Sequence, residues 1–497
     1  MYSKRLYNLI RGLYRTILNY SNKKIFGISL HSKRVSKGDL FVCLPGYKKP
    51  GGECRSDSHL FIDEAISNGA VAIVSERLIN IPDNVTLVVI RDTWKRISII
   101  SGRFYNFPNK NLNIIGITGT NGKTSTSYMI ESVIGTEYKT AVIGTVNNRL
   151  GNQIFSTENT TPEAPFIYEF MHRAVSVGID TMIMEVTSHA LALERTNGIK
   201  YGIGVFTNFT QDHLDFHGTM ENYFQAKLKL FKSVVKEGCA IINKDDYFYS
   251  RVKDGCNCHT ISYGIKDTEV NFNARNIEFT NNGSTFDLYY NRFFSTKIEI
   301  PLIGYHFVSN SLASIAVGFC KKIPLEIIRR NLKKIFVPGR FEMINCGQKF
   351  HIIVDFAHTP DAMENTLSQI KLIEAKKIIS VFGCGGDRDR TKRPKMGEIS
   401  EKYCDYTIIT SDNPRTEDPK KIIFEIESGM KNNNHETIVD RRDAIKKAIE
   451  IAEEGDLVVI LGRGHEEYQI KGNEKIRFKD TDFVKNLFKN LYVTGIS

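Results

Sequence analysis

Residues 114–124 read IIGITGTNGKT, and this short stretch decides the fold. It joins an apolar run, Ile114 to Thr118, to a glycine-rich turn, after which a helical pattern continues to Ile134. A strand, a glycine-rich turn and a helix in this order are typical of a loop that cradles phosphate. The stretch therefore predicts an α/β protein whose central sheet carries a phosphate-binding loop.

The chemistry of this turn indicates a nucleotide and a magnesium ion. Glycine lets backbone amides approach phosphate, and the following helix adds its positive N-terminal end. Lys123 can reach the terminal phosphates, and the Thr124 hydroxyl can ligate Mg²⁺. The strict motif would require glycine at position 117, where this chain has Ile117, so the match is confined to its GKT half. A chance loop is the alternative.

The length predicts about three domains, because 497 residues exceed what one hydrophobic core holds. Residues 1–110 alternate short apolar runs with glycine-containing loops and predict a small α/β domain. Residues 111–337 predict a mostly parallel sheet, with further strands at 181–186, 203–208 and 239–243. Alternation around Asn281-Asn282-Gly283 and Tyr290-Asn291 predicts a small antiparallel annex at 270–300. Residues 338–497 predict a doubly wound domain, with strands at 352–356, 378–382, 406–410 and 457–461.

Bulk composition describes an ordinary globular protein, with 41% hydrophobic and 25% charged residues. Since no apolar run approaches the roughly 18 residues of a membrane span, and no secretory signal is recognisable, a cytoplasmic location is expected. The nine cysteines are scattered and are expected to be reduced, and Cys256 and Cys258 lack the second ligand pair of a zinc site. The net charge of +11 is spread through every segment, so an anionic small substrate or a composition bias explains it as well as a nucleic acid.

Two polar clusters follow buried strands of the middle segment. Residues 184–189 read MEVTSH, and Glu185 at the strand end can hold Mg²⁺, although a solvated strand end is the simpler interpretation. Residues 212–217 read DHLDFH, a spacing that matches no zinc signature. We therefore expect either Mg²⁺ with one imidazole or a polar loop with capping aspartates.

Three more clusters follow strands of the last segment: DRDR at 387–390, DNPR at 412–415 and GRGHE at 462–466. Arginines on neighbouring strand ends would clamp an amino-acid carboxylate through their planar forks, and surface salt bridges are the alternative. Glu466 can accept hydrogen bonds from an ammonium group.

In this order the motifs resemble those of the Mur ligase family over almost the whole chain. The similarity is carried by TGTNGKTS from Thr118, NTTP from Asn159, MEVTSHAL from Met184, TNFTQDHLDFHG from Thr207, PGRFE from Pro338, VDFAHTPDAMEN from Val354, GCGGDRDRTKRP from Gly383, DNPR from Asp412 and GRGHEEYQ from Gly462. The resemblance implies three domains: residues 1–110 for the UDP substrate, 111–337 as a P-loop ATPase domain, and 338–497 as a Rossmann-like domain for the amino acid.

The implied activity is an ATP-dependent, amide-forming ligation in peptidoglycan synthesis. DRDR and DNPR look like those of the branch that adds meso-diaminopimelate to UDP-N-acetylmuramoyl-L-alanyl-D-glutamate through an acyl phosphate. The alternatives are a ligase that adds L-lysine, a folylpolyglutamate synthetase-like ligase and, in another class, a nucleic-acid-dependent P-loop ATPase. The absence of a concentrated basic tract or an aromatic stacking motif counts against the last. A monomer that binds no nucleic acid and has no membrane span is expected.

The resemblance also assigns residues by motif. ATP would be bound by Gly119, Thr120, Asn121, Gly122, Lys123, Thr124 and Ser125, with Arg340 and His358. Mg²⁺ would be ligated by Thr124, Glu185, His213 and Lys227, and the catalytic residues would be Lys123, His213 and Lys227. The UDP substrate would meet Leu30, Ser32, Asn159, Thr160, Thr161, Thr187 and Arg195. Diaminopimelate would be held by Arg388, Asp412, Asn413, Pro414, Arg415, Gly462 and Glu466.

Lys227 occupies the position of a carbamylated lysine. Reaction with CO₂ would convert a cation that repels Mg²⁺ into an anion that binds it. The chain departs from the family pattern at two places. The usual DSR near the uridine is HSKR at 31–34, followed by a lengthened loop from Tyr47 to Arg55, and the usual GKGHE carries Arg463 in place of lysine.

Overall fold

The computed structural model describes residues 2–46, 56–280, 283–371 and 373–493. The described chain forms two compact units. The first runs to Asn273 and includes Tyr290–Phe293 and Ser309–Ile328, and the second comprises Ala274–Tyr289, Phe294–Val308 and the chain from Arg329. The predicted lengthened loop from Tyr47 to Arg55 and the turn residues Asn281 and Asn282 lie outside the described residues.

The first segment folds around a five-stranded sheet. Its elements are β1 (Lys4–Arg5), α1 (Leu6–Ile10), β2 (Tyr14–Leu18), β3 (Lys24–Ile25), β4 (Ile28–Ser29), β5 (Leu40–Val42), α2 (Ile62–Ser67), β6 (Ala72–Ser75), β7 (Thr86–Ile90) and α3 (Thr93–Phe104). The strand order is β2-β7-β6-β5-β4, with β4 to β7 parallel and β2 antiparallel at one edge. Val42 and Val74 belong to one core cluster and Phe41 and Ile73 to another, so the sheet is covered on both faces.

The middle segment places the glycine-rich turn at the centre of a second sheet. Its elements are β8 (Asn113–Thr118), α4 (Lys123–Ile134), β9 (Thr140–Ile143), β10 (Asn148–Leu150), β11 (Gln153–Phe155), α5 (Ala164–Ser176), β12 (Thr181–Glu185), α6 (Ser188–Ala192), β13 (Tyr201–Phe206), α7 (Leu214–His217), α8 (Met220–Lys232), β14 (Val234–Asn243), α9 (Tyr249–Asp254) and β15 (His259–Gly264). Strand β8 pairs in parallel with β12 on one side and β13 on the other. The carboxyl ends of these three strands therefore meet at one edge, where ligands of such sheets bind.

A series of long strands follows. It consists of β16 (Phe272–Thr280), β17 (Gly283–Tyr290) and β18 (Phe293–Ile300), and is succeeded by α10 (Tyr305–Cys320) and α11 (Leu325–Leu332). The three strands are successive neighbours in one sheet, and connections as short as theirs join only antiparallel neighbours. They correspond to the annex predicted for residues 270–300.

The last segment is a mostly parallel sheet with helices on both faces. Its elements are β19 (Glu342–Met343), β20 (His351–Asp355), α12 (Pro360–Ile370), β21 (Ile378–Phe382), α13 (Lys392–Tyr403), β22 (Tyr406–Ile409), α14 (Pro419–Glu427), β23 (His435–Thr437), α15 (Arg441–Glu450), β24 (Leu457–Leu461), β25 (Tyr468–Lys471), β26 (Glu474–Arg477) and α16 (Asp480–Val493). The order is β19-β20-β24-β21-β22-β23, with only β19 antiparallel. Ile379 clusters with Ala444 of α15, whereas the next residue, Ser380, bonds to Ser400 of α13 at 2.7 Å. The sheet is therefore doubly wound, as predicted.

The predicted α/β class is confirmed, and the strands predicted at 378–382 and 457–461 coincide with β21 and β24. The strand predicted at 203–208 is wrong at its end, because β13 stops at Phe206 and Thr207 and Asn208 turn toward the glycine-rich loop. The domain boundaries at 110 and 337 stay predictions. Within the described ranges, no helix combines the length and the apolar character that crossing a membrane demands.

Candidate active site

The glycine-rich loop leaves no room for side chains at two of its glycines. Gly122 is the N-cap residue directly before α4 and has a φ of +86°, and a Cβ there would lie 2.6 Å from Asn310 Oδ1. At Gly119 a Cβ would collide with the hydroxyl of Thr207. Glycine is therefore required at both positions, and the backbone is left bare for a ligand.

The segment after β13 holds this loop in shape. Asn208 Oδ1 accepts from the N–H of Asn121 at 2.8 Å, and the carbonyl of Asn208 accepts from the N–H of Thr120 at 2.9 Å. The Thr207 hydroxyl donates to the carbonyl of Asn121 at 2.6 Å. The sequence assigned no role to Thr207 and Asn208, because their position beside the loop depends on the pairing of β8 with β13.

Two lysines meet at one carbonyl of the loop. Lys123 Nζ donates to the carbonyls of Gly119 at 2.8 Å and Thr120 at 2.9 Å, and Lys227 Nζ donates to the same Gly119 carbonyl at 2.7 Å. Lys227 is only 2% exposed. Burial, and after it the charge of Lys123, lowers the pKa of Lys227 well below its usual value. The predicted catalytic lysines are thus brought together.

Glu185 lies buried at the carboxyl end of β12. Its carboxylate accepts from the hydroxyls of Thr124 at 2.9 Å and Thr145 at 2.8 Å, and from the Thr145 N–H at 3.1 Å. The structure brings together two of the predicted metal ligands, Thr124 and Glu185, and both offer oxygen, the donor that Mg²⁺ prefers. Thr145 follows a strand end without a recognisable motif, and the sequence did not reveal it.

The other two predicted ligands lie on the same ring: Lys227 Nζ is 4.5 Å from the centre of the Tyr223 ring, and the ring of His213 is 6.0 Å from it. Partial burial lowers the pKa of His213. The charge of Asp212 opposes this shift, and the charges of Lys123 and Lys227 add to it. His213 has a φ of +52°, and its ring lies 4.7 Å from that of His189. Among the described residues, no three His, Cys, Asp or Glu side chains converge as a ready-made metal site. A complete set around Thr124 and Glu185 would need a further oxygen ligand.

Four residues predicted for the UDP substrate form one cluster beside Glu185. The Thr161 hydroxyl accepts from the N–H of Thr187 at 3.0 Å and donates to the carbonyl of Glu185 at 2.8 Å. Arg195 donates to the carbonyl of Thr161 at 2.8 Å, and the hydroxyls of Thr160 and Thr145 lie 3.0 Å apart. This cluster adjoins the candidate metal ligands.

Of the remaining UDP-substrate residues, Leu30 and Ser32 lie far from this cluster in the chain, whereas Asn159 directly precedes Thr160. Leu30 packs in the core of the first segment, so only its backbone can face a ligand. The Ser32 hydroxyl donates to Glu64, and the carbonyl of Ser32 accepts from Asn68 at 3.0 Å. Asn159 is exposed, and its carbonyl accepts from Thr157 at 2.7 Å.

The predicted amino-acid residues assemble at the carboxyl ends of β21, β22 and β24. Asp412, Asn413 and Pro414 are buried there, and a Cβ at Gly462 would lie 2.8 Å from Asp412 Oδ2. Arg415 follows with a φ of +50°, and its guanidinium donates to the carbonyl of Gly386 at 2.6 Å. Burial, and after it the nearby charge of Arg388, lowers the pKa of Arg415. The two arginines are neighbours, because a Cβ at Gly385 would lie 3.0 Å from Arg415 Nη1 and 3.8 Å from Arg388 Cγ.

A carboxylate completes this pocket. Glu466 Oε2 accepts from Asn413 Nδ2 at 2.8 Å. Burial, and after it the neighbouring Asp412, raises the pKa of Glu466. Guanidinium and amide donors therefore lie beside a partly exposed carboxylate, an arrangement suited to a zwitterionic ligand.

The loop that carries Arg388 is fixed by the ion pairs of a buried arginine, which the sequence did not reveal. Arg393 is fully buried and donates twice to Glu417, at 2.8 and 2.9 Å. Glu417 also accepts from the N–H of Asp387 at 2.6 Å, and Asp387 accepts from the Thr416 hydroxyl at 2.7 Å. The hydrogen bonds from Arg393 and from the N–H of Asp387 lower the pKa of Glu417 to about 2. Partial burial opposes this shift.

Replacing Glu417 with glutamine is expected to make stability less sensitive to acid. A carboxyl whose pKa is about 2 in the folded chain, against 4.5 ordinarily, contributes its full stabilisation above pH 4.5 and loses it as pH falls toward 2. Urea unfolding at several pH values in this window is expected to show a flatter decline for Glu417→Gln than for the parent. The exposed Glu474→Gln should keep the parental slope. Equal slopes for parent and Glu417→Gln would contradict the assignment.

The two ATP residues predicted in the last segment flank one aromatic ring. Arg340 lies over Phe356 at 4.7 Å, and the ring of His358 lies 4.6 Å from it. The ring of His465, to which the sequence gave no role, is 4.9 Å from Phe356. Burial, and after it the charge of Arg340, lowers the pKa of His465 to about 3, so this imidazole is neutral at physiological pH.

Family models match three successive parts of the chain. Mur ligase family, catalytic domain, matches residues 24–103; Mur ligase middle domain matches 117–318; and Mur ligase, glutamate ligase domain, matches 339–464. A relative from Syntrophomonas wolfei, named UDP-N-acetylmuramoyl-L-alanyl-D-glutamate--2,6-diaminopimelate ligase, is 42% identical over 475 residues, covering 94% of this chain and 95% of the relative. The chain belongs to the Mur ligase family.

Further Mur ligases extend the match to nearly the full length. A Bacillus cereus protein of the same name is 40% identical over 490 residues, which cover 97% of this chain and 98% of that one. A solved structure of a ligase of this name is 29% identical, has a TM-score of 0.68 and covers 99% of both chains. The predicted family is confirmed.

Proposed function

We propose that this Mur ligase joins meso-diaminopimelate to UDP-N-acetylmuramoyl-L-alanyl-D-glutamate at the expense of ATP. The pocket of Arg388, Asn413, Arg415 and Glu466 carries the proposal. Diaminopimelate differs from lysine by a second carboxylate at its far end, and an arginine fork beside a carboxylate suits that carboxylate and its neighbouring ammonium. The names of the relatives agree with this chemistry.

The proposed reaction has two steps. An oxygen of the D-glutamyl side-chain carboxylate attacks the γ-phosphorus of ATP, and ADP leaves. The amine of diaminopimelate then attacks the acyl carbon, phosphate leaves, and the nitrogen gives up a proton. Positioning and charge neutralisation are the contributions of the chain. Lys123 would donate to the transferring phosphoryl group in place of its bonds to Gly119 and Thr120.

Mg²⁺ would be held by Thr124 and Glu185, whose hydroxyl and carboxylate oxygens already lie together. These donors fit a hard cation. When bound, Mg²⁺ would neutralise charge on the phosphates of ATP. The amine of Lys227 does not fit as a ligand in its unmodified form.

Carbamylation of Lys227 would supply the missing anion. The neutral amine attacks the carbon of CO₂, an N–C bond forms, and one proton is released to leave a carbamate. The lowered pKa of Lys227 favours the neutral amine that this step requires. His213, beside Lys227, is then the remaining candidate ligand.

Lys227→Ala is expected to remove most ligase activity and to regain part of it when a small carboxylate such as acetate is added. The buried space that the side chain vacates adjoins the Gly119 carbonyl, where an added anion could replace the carbamate. Steady-state rates with and without acetate measure this. Lys232 is exposed on the same helix, so Lys232→Ala should behave like the parent. A fully active parent whose intact mass shows an unmodified Lys227 would contradict the proposed carbamylation.

Phosphate release from ATP tests the proposed function directly. The purified chain is given the UDP-linked dipeptide and, in turn, meso-diaminopimelate, L-lysine, L-glutamate or DNA. Release that needs both the dipeptide and meso-diaminopimelate is expected. Preference for L-lysine would overturn the substrate, and release stimulated by DNA would overturn the class. A cytoplasmic, monomeric enzyme belongs to the same proposal.

A further inference from the structure

Arg463 reaches two residues of the amino-acid pocket from the interior of the protein. Its side chain has no exposed surface. Its Nη1 donates to Asn413 Oδ1 at 3.0 Å, and its Nη2 donates to the carbonyl of Phe478 at 3.0 Å. Nη1 also lies 3.7 Å from Glu466 Oε2. Arg463 therefore contacts both Asn413 and Glu466 without presenting itself to a ligand.

These contacts leave the side-chain amide of Asn413 one favourable orientation. Its Oδ1 accepts from Arg463 and from the N–H of Ile470 at 2.8 Å, while its Nδ2 donates to Glu466 at 2.8 Å. Reversing the amide would set an NH₂ group against two donors and an oxygen against a carboxylate. Asn413 is thus held as a donor toward Glu466.

Arg463 also supplies charge to the pocket. Burial and the neighbouring Asp412 raise the pKa of Glu466, and Arg463 is the foremost group that opposes this rise. An ionised Glu466 can receive an ammonium group, whereas a protonated one is a poor partner for it.

A second buried arginine shares the surroundings of Arg463 and serves as its control. Arg441 donates to Asp480 at 2.9 and 2.8 Å and to the carbonyl of Leu461 at 2.9 Å. Arg463 Nε lies farther from Asp480, at 3.9 Å. Asp480 therefore keeps its principal partner when Arg463 is replaced, and the fold is expected to survive.

We propose that Arg463 is a positioning residue for the amino-acid site, which fixes the orientation of Asn413 and Glu466 for the far end of the incoming amino acid. The inference rests on the proposed function and deepens it. This role also explains why a buried cation lies at position 463, between β24 and Glu466. Either lysine or arginine at this position can donate to Asn413.

Arg463→Met tests this role, because methionine keeps an unbranched apolar side chain that can stay buried but has no donors. The Michaelis constant for meso-diaminopimelate is expected to rise about 10- to 100-fold, the loss typical of a hydrogen bond to a charged group. The constants for ATP and the UDP-linked dipeptide should change less than about threefold. Arg463→Lys should return the diaminopimelate constant to within about fivefold of the parent, because one ammonium group can still donate to Asn413. Arg441→Lys should lower the melting temperature and leave that constant unchanged.

The possible outcomes distinguish the role of Arg463 from the proposed function. An active parent with an unchanged diaminopimelate constant in Arg463→Met overturns the role of Arg463 and leaves the proposed function standing. An equal rise in all three constants overturns it too, because that pattern marks a general loss of structure. A parent without diaminopimelate-dependent turnover overturns both.

Thermal unfolding shows whether Arg463→Met folds. If it does not fold, a second variant is used. Arg463→Gln retains one neutral donor and is expected to raise the diaminopimelate constant roughly tenfold. In an Asn413→Ala background the same change should have a clearly smaller effect, since Arg463 acts in part through Asn413 and in part through its charge beside Glu466. Full additivity of the two substitutions would overturn the proposal.

Discussion

Lys123→Ala is expected to abolish ATP-dependent ligation, with a loss of at least roughly a thousandfold in kcat/KM. Lys123 lies at the first turn of α4, and its Nζ bonds to two carbonyls of the glycine-rich loop, Gly119 and Thr120. The ammonium group is therefore already at the place where the phosphates of ATP would lie. Alanine leaves the developing charge on the γ-phosphate without this partner.

Phosphate release and formation of the ligated product measure the effect. Lys139→Ala, an exposed lysine of the same unit, is the matched control and should keep parental rates. Thermal unfolding shows whether Lys123→Ala is folded. A folded variant that ligates within tenfold of the parent would exclude the assigned role of Lys123.

Arg415→Ala is expected to raise the Michaelis constant for meso-diaminopimelate roughly 10- to 100-fold and to leave the constant for ATP nearly unchanged. The Arg415 guanidinium is half-buried, and one of its nitrogens donates to Gly386. The rest of its planar fork remains to bind a carboxylate with two charge-assisted bonds. Arg415→Lys should rescue little, because a single ammonium group lacks this geometry.

Initial rates at varied diaminopimelate and at varied ATP separate the two constants. Arg390→Ala is the matched control, since Arg390 is exposed on the same surface region and pairs with Glu425. It should leave both constants unchanged. An unaltered diaminopimelate constant in Arg415→Ala would show that the far carboxylate binds elsewhere.

The sequence predicted best those strands whose side chains are buried on both faces. β21 and β24 are fully buried runs that are apolar except for Ser380, and each is ended by glycine, so their limits coincide with the change in composition. The end of β13 was missed because Thr207 and Asn208 are compatible with a strand. Their hydrogen bonds to Asn121 end the strand, and these involve residues more than 80 positions away.

The same distinction holds at the candidate site. Glu185, Asp412 and Gly462 could be found because each stands at or shortly after the carboxyl end of a recognisable strand. Arg393 and Arg463 could not be assigned a function from the sequence pattern, because the pattern does not show whether an arginine is buried or exposed to solvent. What distinguishes them is a partner supplied by another element, such as Glu417 or Asn413.

The buried pairs of the last segment set an order of assembly during synthesis. The hydrogen bonds described for the glycine-rich loop come from residues no later than Lys227, so the loop can close before much of the rest of the chain has been synthesised. The amino-acid pocket is different, because Asn413 is oriented by Arg463, whose other partners are Phe478 and Asp480. A nascent chain therefore forms its phosphate loop first, and its amino-acid pocket becomes complete only when the start of α16 has emerged.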